Sequence, residues 1–314
     1  MRERADTARA LAASARVAGT DAADAAVPVS AHLPRPGWVG SFALRPARAG
    51  WAGPGALRAL AAGGEGTVAL RLHDGAYLEL PGGWLLLAPP RSPIGPLTLL
   101  VDGLPVDRIA TGDRVVVVGS ERIELDGVMV ELGGVRPVES PRAPARAATG
   151  VHAALAAALA VRPRPSAELE EGLAALANGR RAEAVALLAG RGPGLTPAGD
   201  DVLAGYAAWC HAERAAATPA AGRDPDNPSA SRAAAGPAAL SLAAAPRTSP
   251  LSLAYLRCAE RGELPVVAAR VLAAVRRGDR AGAARAAGAL DGWGASSGSA
   301  LLWGIAAGVA ETAA

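Results

Sequence analysis

Apolar and polar residues alternate through Thr67-Val-Ala-Leu-Arg-Leu-His73, break at Asp74-Gly75, and resume through Ala76-Tyr-Leu-Glu-Leu80. A period of two on both sides of an Asp-Gly pair predicts antiparallel strands joined by a tight turn, because aspartate and glycine tolerate the positive φ such turns need. The signature recurs at Arg122-Ile-Glu-Leu125, Asp126-Gly127 and Val128-Met-Val-Glu-Leu132. Trp84-Leu-Leu-Leu87 and Val115-Val-Val-Val118 are unbroken apolar runs, which predict strands covered on both faces. Residues 31–140 are therefore expected to form a β-rich barrel or sandwich.

Prolines and arginines from Arg136 to Arg146 mark a boundary, beyond which the period lengthens to that of helices. Residues 145–314 are expected to form an all-helical domain, which places the chain in the α+β class. Ser166 suits the cap of a helix running to Ala177 and stopped by Asn178-Gly179. Pro265 suits the first turn of a helix that ends on Arg276-Arg277-Gly278, where cations face the negative end of the macrodipole. Two segments lack a usable period. Residues 1–30 are expected to be a disordered or frayed helical arm, and residues 212–247, rich in Ala, Pro, Ser, Asp and Asn, a mobile insertion.

Composition then narrows the chemistry. The 314 residues carry 32 basic and 29 acidic side chains, and every basic one is arginine. Without lysine there is no Schiff base, no pyridoxal-phosphate attachment and no P-loop. The four histidines (His32, His73, His152, His211) and two cysteines (Cys210, Cys258) show no metal-ligand spacing, and the cysteines are expected to be buried thiols of a reducing compartment. A formal charge of +3 on scattered arginines makes no case for nucleic acid. The most apolar stretch, Ala300 to Ala310, falls short of the ~18–20 residues of a membrane span. With no apolar run of signal-peptide type near Met1, a soluble cytoplasmic protein is expected.

The candidate site lies in Gly190-Arg-Gly-Pro-Gly-Leu-Thr-Pro-Ala-Gly-Asp-Asp-Val-Leu-Ala-Gly205. Thr196 and Pro197 suit the start of a helix. Gly199 in its first turn costs ~1 kcal/mol against alanine, and after a loop holding Gly194 it would let a ligand approach the backbone amides closely. Thr248-Ser249-Pro250-Leu251-Ser252 places hydroxyls and a proline at a second helix start. A third, Ser296-Ser297-Gly298, echoes the first: Gly298, Leu302 and Gly304 repeat Gly199, Leu203 and Gly205. Three converging helix starts would bind a carboxylate or phosphate, with Arg191 adding a bidentate contact. Asp200 and Asp201 then have two readings. They receive the N–H groups of an anion that also carries an amide, or they share a Mg²⁺ with a phosphate.

At these three segments the chain resembles a bacterial domain-of-unknown-function family, number 2877, related to a subunit of the oxamate carbamoyltransferase of allantoin catabolism. The resemblance rests on Gly194-Leu-Thr-Pro-Ala-Gly-Asp-Asp-Val-Leu-Ala-Gly205, on Thr248 through Glu263, and on Ser296 through Gly304. It implies a reaction that takes oxalurate and phosphate to oxamate and carbamoyl phosphate, with no cofactor and with other subunits as partners. On that reading Asp200 and Asp201 are catalytic. Arg191, Gly194, Thr196, Gly199, Thr248, Ser249, Ser252, Ser296, Ser297 and Gly298 bind substrate. The family pattern has an aspartate where this chain has Ala300. A ligand-binding or regulatory subunit without chemistry of its own is the other function class these residues allow.

Overall fold

The computed structural model describes residues 47–144, 146–217, 239–294 and 296–313. The predicted N-terminal arm, and most of the predicted insertion, lie outside these residues. Nine strands are described: β1 (Ala47–Ala52), β2 (Gly64–Arg71), β3 (Ala76–Leu80), β4 (Gly83–Ala88), β5 (Thr98–Asp102), β6 (Arg114–Val118), β7 (Arg122–Leu125), β8 (Val128–Glu131) and β9 (Arg136–Pro137). Their order is β5-β4-β3-β2-β6-β7-β8-β1-β9, and β1 also pairs with β5. The first eight therefore close on themselves. The architecture is a β-barrel, which leaves no open sheet edge along those strands.

Both Asp-Gly hairpins form. β7 and β8 meet with Leu125 opposite Val128, so Asp126-Gly127 is a two-residue turn, and Gly127 takes φ +76°. Alternate residues fill the barrel, among them Leu78, Leu85, Leu87, Leu99, Val115, Ile123 and Val130, all fully buried. Each such side chain contributes roughly 1.5–3 kcal/mol by leaving water. The two apolar runs behave differently. In β4, Leu85 and Leu87 point into the barrel while Trp84 and Leu86 pack outward against the helical half. In β6, only Val115 and Val117 are buried, while Val116 and Val118 are partly open. Covering on both faces is thus corrected for β6, whose alternate valines stay partly open among the described residues.

Helix α1 (Pro54–Ala62) packs on β4 and β5. Nine further helices are described: α2 (Val151–Leu159), α3 (Ala167–Ala177), α4 (Arg181–Leu188), α5 (Ala198–Ala217), α6 (Leu240–Ala244), α7 (Pro250–Glu260), α8 (Val266–Arg276), α9 (Arg280–Gly288) and α10 (Ser297–Ala313). Residues 212–217 continue α5 and residues 240–244 form α6, so the ends of the predicted insertion are helical. The buried faces of Ala212 and Ala244, both small and apolar, explain why.

The echo between helix starts extends much further. Helices α3, α4 and α5 begin at 167, 181 and 198, and α8, α9 and α10 begin 99 residues later in each case, at 266, 280 and 297. Gly179 and Gly278 end the first helix of each set at φ +70° and +69°. The third helices of the two sets, α5 and α10, lie against each other at the centre of the helical half. Their glycines make the close approach reciprocal: Gly205 faces the Leu301 carbonyl and Gly304 the Val202 carbonyl. Arg276, fully buried at the end of α8, donates to the Pro144 carbonyl, pairs with Glu213 and stacks on Trp209. It ties α8 to α5. Cys210 and Cys258 are free thiols, and burial pushes Cys258 up to about 11.

Candidate functional site

The barrel and the helical half share a small core of Tyr77, Trp84, Leu97, Leu251 and Cys258. Beside it, along the same seam, runs a cleft of about 280 Å³. The barrel supplies Leu72, Asp74, Gly75, Tyr77, Leu86, Ala88, Ser92 and Pro93. The helical half supplies Thr196, Asp201, Tyr255, Gly292, Trp293, Gly294 and Ser297. Of the residues expected from sequence, the structure brings Thr196, Asp201 and Ser297 together here.

Asp201 is 7% exposed, and its Oδ2 is buried with no hydrogen-bond partner. Desolvation raises its pKa well above the usual carboxylate range, more than the facing Ser297 hydroxyl lowers it, and the charge of Asp200 adds to the rise. A buried carboxyl oxygen is costly to leave without a partner, so a ligand group that meets it gains the difference. Opposite stand the hydroxyls of Tyr77 and Tyr255, 3.1 Å apart. Burial raises both, and Asp201 raises both a little further. Two hydroxyls that share one hydrogen bond keep one O–H donor to spare. Trp293 meets Tyr255 edge-on, with ring centroids 6.5 Å apart, and sits so close over Gly95 that a side chain there would strike its ring.

Asp200, one residue earlier, does something else. Its Oδ1 accepts from the Gly190 amide at 2.9 Å and its Oδ2 from the Thr248 hydroxyl. Desolvation still raises its pKa, against those two hydrogen bonds. It clasps the Gly190 loop to the start of α7 and does not line the cleft. Ser249 caps α7 by accepting from the Ser252 amide at 3.1 Å, and its hydroxyl reaches the Leu195 carbonyl. Thr248, Ser249 and Ser252 thus build the wall behind the cleft. Arg191 is exposed and away from the lining, and Gly194 turns the loop at φ +100°. Ser296 is exposed and its carbonyl accepts from Ala300 in the first turn of α10.

The amides expected to hold an anion at the start of α5 are already engaged. Gly199 donates to the Arg191 carbonyl at 2.9 Å, and Asp200 and Asp201 donate to Pro197. Gly199 is needed for packing: a Cβ there would overlap the Leu188 carbonyl oxygen and lie 2.9 Å from its carbon. Gly298 likewise faces the Leu290 carbonyl and donates to Trp293. Close approach is real at both glycines, but the partner is the preceding backbone. Gly199→Ala is accordingly expected to lower stability by about 2 kcal/mol. Thermal melting checks this, with a Tm fall of roughly 4–8 °C, and an unchanged Tm would argue that the carbonyl contact is dispensable.

The donor set also bears on Mg²⁺. Asp200 is spent on Gly190 and Thr248, so the cleft's acids are Asp201 and, from the barrel side, Asp74, and among the described residues no three His, Cys, Asp or Glu side chains converge. These residues do not fit a carboxylate-bridged ion. Among the described residues no helix is long and apolar enough to cross a membrane.

Tyr77, Tyr255 and Trp293 were not among the residues singled out from sequence. One signal pointed their way: Tyr77 occupies an outward position of an alternating strand, where an aromatic needs cover.

The fold and cleft together define an α+β protein with a cleft between a barrel and a helical layer. Over residues 188–309, from the last residue of α4 to near the end of α10, the chain matches a family model described as oxamate carbamoyltransferase subunit AllH, which supports a relation to that subunit. The match contains Thr196, Asp201, Tyr255, Trp293 and Ser297, and the barrel lies outside it. Comparisons with curated proteins and with solved structures find no match.

Proposed function

We propose that the chain is a subunit of a carbamoyltransferase-type enzyme and that the seam cleft holds a small amide-bearing carboxylate of the oxamate or oxalurate kind. The observation that carries this reading is the buried Asp201 carboxyl at the wall of the cleft, whose Oδ2 has no hydrogen-bond partner. It orients the amide, while Thr196 and the tyrosine pair supply hydroxyl donors to the remaining oxygens and Ser297 steadies the Asp201 carboxyl. In the forward reaction the bond from the carbamoyl carbon to the oxamate nitrogen breaks, a bond from that carbon to a phosphate oxygen forms, and the nitrogen takes up a proton. The cleft contributes by positioning, and orientation alone is worth several kcal/mol of barrier.

A second reading has its own support. No arginine is among the described residues that line the cleft, and Asp74 and Asp201 are its two acids. A phosphate would need cations from elsewhere, which favours a division of labour in which this chain binds the carboxylate and another subunit binds phosphate and completes the reaction. Release of carbamoyl phosphate from oxalurate and phosphate, assayed with this chain alone and with candidate partner subunits, separates the two. Turnover by the chain alone supports the first and turnover only in the complex the second. If oxamate fails to bind and no combination turns over, both readings fall.

A further inference from the structure

The protonation state of Asp201 decides what the cleft can recognise. The groups that face this carboxyl come from four elements and one turn: Asp200 beside it on α5, Tyr77 on β3, Tyr255 on α7, Ser297 on α10, and Asp74 in the β2–β3 turn across the cleft. None of them is a cation. A carboxyl buried to this degree, next to a second buried acid and, among the described residues, without a positive partner, favours the neutral acid. In that form it presents an O–H donor and a carbonyl acceptor side by side. The complement is a group with an N–H donor and a carbonyl acceptor at the same spacing. A primary carboxamide has this pattern, as does the terminal end of a ureido group. A carboxylate does not, since it brings two acceptors and a like charge.

We propose that the cleft reads the uncharged amide end of its ligand through two parallel hydrogen bonds with the neutral Asp201 acid, and that the Tyr77–Tyr255 pair donates its spare O–H to an adjacent ligand oxygen. This rests on the reading of the cleft as a site for an amide-bearing carboxylate. It adds which end of the ligand is buried and why the diacid is refused. It also gives the barrel a share in specificity through Tyr77, which lies outside the family match.

Calorimetric titration of the full chain with oxamate and with oxalate, from pH 6 to pH 9, tests the proposal. Oxamate is expected to bind about tenfold or more tightly than oxalate at pH 6, because the unmatched carboxylate leaves a buried donor–acceptor pair half satisfied. Its affinity should fall as pH rises and Asp201 ionises. Asp201→Asn keeps one donor and one acceptor, so it should hold oxamate within about threefold of the wild type and flatten the pH profile. Tyr77→Phe should weaken oxamate by roughly fivefold, the loss of one neutral hydrogen bond. If oxalate binds as tightly as oxamate, or affinity rises with pH, the neutral-acid pairing is overturned while the amide-bearing carboxylate remains a ligand. Both of these measurements use the unmutated chain, so they stand even if a variant misfolds. Loss of oxamate binding in a cooperatively melting Asp201→Asn protein would overturn it equally. Failure of the wild type to bind either probe removes the underlying reading of the cleft, and this inference with it.

Discussion

Gly304→Ala is expected to destabilise the protein by about 3 kcal/mol or more, among the largest effects available from a single methyl group. A Cβ at this position would overlap the Val202 carbonyl oxygen and stand 2.8 Å from the Tyr206 amide nitrogen. Both neighbours are backbone of α5, so no rotamer change can make room. The helices would have to separate, and the contact they would open is the centre of the helical core, with Leu203, Tyr206, Leu302 and Ile305 all buried beside it. Gly288→Ala is the matched control, since Gly288 is helical in α9 and a Cβ there meets nothing within 4 Å. That change should stabilise by about 0.4–1 kcal/mol, through the reduced entropy of the unfolded chain. Denaturant melts of the two variants measure the contrast. If both shift the midpoint alike, the contact between α5 and α10 is looser than described.

Asp201→Leu is expected to separate stability from binding. The leucine has the same number of side-chain heavy atoms and the same branch point as the aspartate and needs no hydrogen bond, so the variant should be more stable than the wild type by about 1–2 kcal/mol at pH 7. Oxamate affinity should meanwhile fall by about a hundredfold, roughly 2.7 kcal/mol, as the polar pairing is lost and the ligand amide is left unmatched. The pH dependence has a definite sign. Burial raises the folded-state pKa of Asp201 above the unfolded value near 3.8. Below that value the acid is protonated in both states, and the wild type carries no penalty. As pH climbs from there toward the folded pKa, the unfolded chain ionises and the folded one resists, so the wild type steadily loses stability. The substituted leucine cannot titrate. The Tm difference between variant and wild type should therefore be small at pH 3.5 and widen toward pH 7. A gap that stays constant with pH would mean that the Asp201 carboxyl ionises freely in the folded protein.

Both expectations turn on a feature that the order of residues foretells only in part. Hairpins at Asp74-Gly75 and Asp126-Gly127 are legible locally from the period of two on either side of each pair, although only Gly127, and not Gly75, takes the positive φ expected of the turn. Helix limits at Ser166, at Asn178-Gly179 and at Pro265 fall where the sequence places them, although the Ser166 side chain makes no capping hydrogen bond and Pro265 precedes the first turn instead of entering it. The likeness of Gly199 to Gly298, and of Gly205 to Gly304, is visible in sequence and turns out to mark a helical pattern that repeats at a fixed offset. Glycine's reason for being there is not visible. A bare Cα suits close approach by any partner, and the partners here are the carbonyls of Leu188 and Leu290.

The sequence by itself determined the two hairpins, the change from strands to helices, and the limits of the helices beginning at 167 and 266, since these depend on the period of burial and on turn residues along one stretch of chain. Only the tertiary structure decided the division of labour inside the segment around Asp200 and Asp201. Successive residues of a helix point about 100° apart, so Asp200 and Asp201 must face different neighbours. Which one meets Thr248 and which meets the cleft is set by where α7 and α10 dock against α5. Tyr77 joins the site for the same reason, brought across from the barrel by packing between segments that lie more than a hundred residues apart.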